Sequence, residues 1–150
     1  MILLSRRSQL AIAAVVDVAI HARPSPVAAK ALAARHNLPP RHLETLLQAL
    51  VKAGILKGVR GPRGGYELAR ERRRISAGEI VRAAMADGLE DATLPEPESL
   101  LVECVVQPLV DIAGQKFLAE LDVISVNDLC RQAGEMAVFG RPETDSDFTI

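Results

Sequence analysis

Residues 10–20 are apolar at every position except Asp17. A stretch with no polar side predicts a helix buried all round, in a core or against another subunit. His21-Ala22-Arg23-Pro24 ends it, because proline disfavours helical backbone at the residue before it. Ser25-Pro26 has the pattern of a helix start, with serine as cap and proline at the first helical position. A second helix is therefore predicted over residues 27–35, with Val27, Ala28, Ala31 and Leu32 on one face. A turn follows at His36-Asn37-Leu38-Pro39, where Asn37 suits left-handed backbone. The third helix starts at Pro40, continues to Ala53 and is stopped by Gly54. Its apolar positions Leu43, Leu46, Leu47, Leu50 and Val51 recur at helical spacing, which anchors that face to a core. Two short helices separated by about four residues make a helix-turn-helix pattern.

Beyond Gly54 the pattern changes. Residues 55–59 and 66–68 read as short strands around Arg60-Gly61-Pro62-Arg63-Gly64-Gly65, whose glycines and proline predict a tight hairpin loop. Helix, turn, helix and a basic-tipped hairpin is the winged-helix arrangement, so the fold class is mainly α with a small β-wing. Residues 70–74 form a basic connector. Ser76-Ala77-Gly78-Glu79 matches a capping box, Ser76 as cap and Glu79 reaching back, opening a helix to about Ala86. Residues 87–99 hold Pro95, Pro97 and the acids Asp87, Glu90, Asp91, Glu96 and Glu98, and read as an exposed, solvated loop. Residues 108–121 predict a long amphipathic helix with Leu109, Ile112, Ala113, Phe117 and Leu121 as its apolar stripe. Ser125-Val126-Asn127-Asp128 resembles another capped start. The polar, acidic tail after Gly140 is expected to be disordered. The chain thus divides into a winged helix-turn-helix domain (1–86), an acidic loop (87–104), a dimerisation-helix region (105–138) and a tail (139–150).

Charge changes the picture more than composition does. Residues 1–75 carry 14 Lys and Arg against four acids, whereas residues 76–150 carry four against fifteen. A polyanion is drawn to the first half and repelled by the second. Hydrophobic residues at 49% suffice for a packed core, and 3% aromatics favour a helical one. Cys104 and Cys130 belong to no CxxC pair, which points away from a disulfide scaffold and towards a reducing compartment. Arg6-Arg7 before an apolar stretch approaches an export signal, but Asp17 interrupts the run and no small-x-small site directly follows. No run is long enough to span a bilayer, so a cytoplasmic protein is expected.

Opposite the apolar face of the third helix lie Arg41, Thr45, Gln48 and Lys52, flanked by His42 and Glu44. Arginine can pair with the guanine edge, glutamate can accept from the cytosine amino group, glutamine can pair with adenine, and threonine can meet several edges. The first residues of a recognition helix reach base edges. Arg41, His42, Glu44 and Thr45 are thus candidate base readers, and Gln48 and Lys52 candidate phosphate contacts. An ordinary solvated helix face is the competing reading. The hairpin sharpens the first reading. Its glycines permit close backbone approach, and Arg60 and Arg63 suit a narrow minor groove, where the negative potential is enhanced. A phosphate-cradling nucleotide loop needs a helix after it, and Tyr66-Glu67-Leu68 reads instead as a strand. No Ser-His-Asp motif, metal-binding pair on one helix face or nucleotide loop points to an enzyme, and His21, His36 and His42 are too scattered for a zinc site.

Leu4-Ser5 through Ala11, Leu43-Glu44, Leu50-Val51-Lys52-Ala53-Gly54-Ile55-Leu56 and above all Val59-Arg60-Gly61-Pro62-Arg63-Gly64-Gly65-Tyr66-Glu67-Leu68-Ala69 resemble the Rrf2 family of winged-helix regulators, the IscR- and NsrR-like proteins. The likeness is good over about residues 1–85. It continues more weakly to Ile124-Ser125-Val126-Asn127-Asp128-Leu129. It implies a homodimer on a near-palindromic operator, with the helix at 108–121 pairing with its partner and with the first helix. It also implies that Glu44 reads bases and that Arg60 enters the minor groove. Many members hold an iron–sulphur cluster on three cysteines ahead of the dimer helix. Here only Cys104 fits a ligand position, Gln107 stands where IscR-like proteins place a histidine, and Leu10 replaces an aromatic near the start. Three or four protein ligands are the usual requirement, so no cluster and no other cofactor is expected. Cys104 has Glu103 beside it and no nearby Lys or Arg to lower its pKa, so a buried or inert thiol is expected there. The reading is a homodimeric, sequence-specific repressor that binds double-stranded DNA. A protein-interaction module acting on a partner protein is an alternative, as is a redox or thiol sensor using Cys104.

Overall fold

The computed structural model describes residues 4–86 and 99–140. The acidic stretch predicted as an exposed loop, apart from its last residues, and the tail predicted as disordered lie outside the described residues. Six α-helices occur in them: α1 (Arg6–His21), α2 (Ala29–Arg35), α3 (Pro40–Lys52), α4 (Ala77–Met85), α5 (Gln107–Asp122) and α6 (Val126–Glu135). Strands β1 (Leu56–Val59) and β2 (Gly65–Leu68) follow α3 and pair antiparallel, Leu56 opposite Leu68 and Val59 opposite Gly65. A 3-10 turn (Arg72–Arg74) leads into α4, and a π-helical turn (Val102–Val106) runs into α5. Among the described residues no helix is long and apolar enough to cross a membrane.

One core holds the first half together. Ala11, Ala14, Val15 and Val18 of α1 meet Leu32 of α2, Leu43, Leu46, Leu47 and Leu50 of α3, Leu56 of β1 and Ile80 of α4, all buried. Val126 and Cys130 of α6 belong to the same core, although α6 lies in the region assigned from sequence to dimerisation. Backbone hydrogen bonds tie the start of α6 to that of α4: the Ala77 amide donates to Ile124 (2.8 Å) and the Val126 amide to Ile75 (2.8 Å).

Several local expectations are corrected. Ser25-Pro26 does not open α2. Val27 is extended and exchanges backbone hydrogen bonds with Tyr66 (2.9 and 2.8 Å), adding a one-residue third strand beside β2, so α2 begins two residues later with Ala28 as its cap. Its buried side is Leu32 and Ala33, while Ala28 and Ala31 are exposed. Val51 is 38% exposed and lies off the buried stripe of α3. Ser76 caps α4 by accepting from the Glu79 amide, but the Glu79 carboxylate accepts from Arg70 instead of reaching back. The complete reciprocal box is at α6, where Asp128 in the third position accepts from the Ser125 amide. Asn37 has the expected left-handed backbone (φ 53°), and Gly54 (φ 75°) ends α3 as expected.

Candidate nucleic-acid interface

Four leucines on one side of α3 are fully buried and fix the rotation of the helix about its axis. The opposite side is thereby turned outward: Arg41, His42, Glu44, Thr45, Gln48 and Lys52 are all exposed. The first turn of α3 contains no acidic residue and no side chain caps it. Its amides and the helix dipole therefore add positive potential where Arg41 stands.

The wing is shaped by its glycines. Gly61 has φ 116°, and the Gly64 amide donates back to its carbonyl (2.9 Å). A Cβ at Gly64 would collide with the Val59 carbonyl, and one at Gly65 with the Val27 backbone. Glycine is required at both by close backbone approach. The loop presents Arg60 and Arg63, both exposed. Among the described residues Arg41, Glu44, Lys52, Arg60 and Arg63 enter no ion pair, so their charges are available to a ligand. The eight sequence candidates thus lie on two adjoining elements, the outward side of α3 and the hairpin that directly follows it.

A second polar centre was not anticipated from sequence. The Asp17 carboxylate is wholly buried in α1 and gathers three donors. Arg35 donates from Nη2 to Oδ1 (2.5 Å) and from Nε to Oδ2 (2.9 Å). His36 donates from Nε2 to Oδ2 (3.0 Å), and His21 Nδ1 lies 3.1 Å from Oδ1 and 2.9 Å from the Asp17 carbonyl. Two acceptors around one ring nitrogen require Nδ1 to carry the hydrogen. Burial pushes the Asp17 pKa up. The Arg35 hydrogen bonds and charge, aided by His21 and His36, more than offset this and hold it below the usual value. Arg35 and His36 sit at the end of α2, so this centre pins the helix-turn-helix to α1. The i, i+4 spacing of Asp17 and His21 is a local signal of half of it; the other half is contributed by distant sequence.

The two cysteines are far from equivalent. Cys104 is exposed on the π-helical turn, so of the expected buried or inert thiol the buried alternative is corrected, and Cys130 is buried in α6. Burial pushes the Cys130 thiol up, despite Arg72 nearby, so it stays protonated.

A packed helical core, helix α3 with its polar side open and an arginine-tipped wing define a DNA-binding transcriptional regulator of the winged-helix class. The profile of the Rrf2 family, described as an iron-dependent transcriptional regulator, matches residues 4–132, and the chain belongs to that family. It is 36% identical over 127 residues to a protein of Synechocystis named as an HTH-type transcriptional regulator, covering 84% of this chain and 86% of the relative. It is 29% identical over 143 residues to IscR of Photobacterium profundum, covering 93% and 82% respectively. Among solved structures, T. potens IscR superposes with a TM-score of 0.67 at 34% identity, over 89% of each chain. CymR of B. subtilis, titled a global cysteine regulator, does so at 0.63 and 25%, over 88% of this chain and 98% of that one. The iron in the family's description meets a poor donor set here. Cys104 and Cys130 are the only cysteines, and they lie on different elements, one exposed and one buried. Three or four ligands are needed to hold a cluster, and these residues do not supply them.

Proposed function

We propose that this chain is a homodimeric repressor that reads a near-palindromic operator without an iron–sulphur cluster. The observation that carries the reading is the unpaired, exposed set on α3 and the wing. Arg41, His42, Glu44 and Thr45 face base edges in the major groove, Gln48 and Lys52 meet phosphates, and Arg60 and Arg63 enter the adjoining minor groove. Dimerisation is supported by apolar side chains left in solvent along the π-helical turn and α5. Val105, Leu109 and Ile112 are 58%, 65% and 57% exposed. An unpartnered apolar strip of this kind marks an interface. A twofold dimer places two recognition helices on inverted half-sites, which accounts for a palindrome. Repression needs only that such a dimer occupy a promoter. With two cysteines and no CxxC pair, the reducing cytoplasm suits the protein.

The test is selection of bound fragments from sheared genomic DNA, repeated with Glu44→Ala. The wild type should recover fragments sharing an inverted repeat, and the variant should bind with relaxed preference at the position Glu44 reads. A wild type that enriches no common motif, or a variant with unchanged preference, would refute the assignment. Oxygen-free purification tests the cluster-free reading: a colourless protein is expected, and a brown one with visible absorption contradicts it.

A further inference from the structure

A cleft of about 740 Å³ opens on the hairpin's base, at the end remote from the Arg60–Arg63 loop. One wall is the last turn of α1 with Arg23 just beyond it. The other is β2 with the segment through Arg73 that follows it. Val18, Ala19, Ile20 and Leu68 give it apolar lining. Five cations reach it, and three are accounted for. Lys57 pairs with Glu67 (3.1 Å), Arg70 with Glu79 (2.9 Å), and Arg72 bears on the Cys130 thiol. Arg23 and Arg73 have no acidic partner among the described residues, and both are exposed at the rim. The lining is mixed: Glu67, paired with Lys57, and Glu71, 3.6 Å from Arg74, also border the cleft, and its five cations outnumber these two acids. Two guanidinium groups without an ion-pair partner beside an apolar patch match a small molecule that has an apolar body and oxyanion groups, because guanidinium forks pair with carboxylate or phosphate oxygens in two-point fashion.

We propose that this cleft is a binding site for a small organic oxyanion, a di- or tricarboxylate or a phosphate ester, held by Arg23 and Arg73. The site lies away from the DNA-reading face and stands independently of the reading above. It joins α1 to the base of the wing, so an occupant would bridge the core and the hairpin.

The test uses citrate and inorganic phosphate as probes on the full chain, followed by amide NMR at matched chloride concentration. Saturable shifts confined to residues 18–23 and 67–73 are expected. Binding should weaken at least tenfold in the double variant Arg23→Ser, Arg73→Ser, with its melting temperature unchanged. If citrate binds and phosphate does not, the carboxylate class is selected; the converse selects phosphate esters. Unsaturable shifts, shifts centred on Arg41 and Arg60, or equal binding by the double variant overturn the site. So does a double variant that loses DNA affinity and salt dependence, because the two arginines would then belong to the duplex interface. An operator-binding defect in Glu44→Ala with citrate binding intact separates this site from the DNA reader.

Discussion

Asp17 shows how one side chain ties together elements distant in sequence. A carboxylate with no solvent exposure is costly unless charged donors surround it, and Arg35, His36 and His21 do so. Arg35 is itself 31% exposed, so it can regain water when Asp17 is removed. Asp17→Asn should therefore cost on the order of 2 kcal/mol, the range for hydrogen bonds to charged groups and below that for a fully buried pair. The sign with pH follows from the lowered pKa of Asp17 in the fold. Its contribution is fully present above the unfolded value of about 4 and is lost as pH falls through the lower folded value. Urea melts at neutral pH and between about pH 4 and 2 should show the wild-type advantage over Asp17→Asn shrinking on acidification. A gap that is constant with pH would mean the carboxylate charge is not what binds α2 to α1.

At the scale of elements, what was legible in the sequence was local. The leucine spacing of α3, the stop at Gly54 and the glycine-rich hairpin each depend on neighbours within a few residues, and each appears where the pattern puts it. The start of α2 was misread because a cap-like Ser25-Pro26 pair is outweighed by pairing of Val27 with Tyr66, a contact that local propensity does not encode. The Glu79 carboxylate was misassigned for the same reason, being drawn to Arg70 from the preceding connector. The stripe on α5 was legible as amphipathic. Only its later members, Phe117 and Leu121, are half-buried within the chain, while Leu109 and Ile112 remain exposed. If that strip is a dimer seam, Ile112→Glu should shift the protein to the monomer mass in sedimentation equilibrium with its helical circular dichroism retained. A dimer that persists at micromolar concentration would place the seam elsewhere. The Arg82–Asp122 pair (2.5 and 3.0 Å) anchors the base of α5 to α4, so the helix should keep its position when its apolar strip is altered.

For the molecule as a whole, the separation of charge is the organising feature. The basic half contains α3 and the wing, and the acidic half contains α5 and α6. A duplex is therefore drawn to the segment that carries α3 and the wing and not to the acidic remainder of the chain. The outward rotation of α3, fixed by its buried leucines, and the glycine-built hairpin that follows it leave eight polar side chains exposed on two adjoining elements. The salt dependence of binding to a recovered operator tests this most directly. Log affinity should fall linearly with log salt at roughly −0.9 per phosphate neutralised, and Lys52→Ala should reduce the slope by about one such unit. Arg60→Ala and Arg63→Ala should each weaken binding in addition. A slope near zero, or all three variants binding as the wild type does, would contradict the placement of α3 and the wing on DNA.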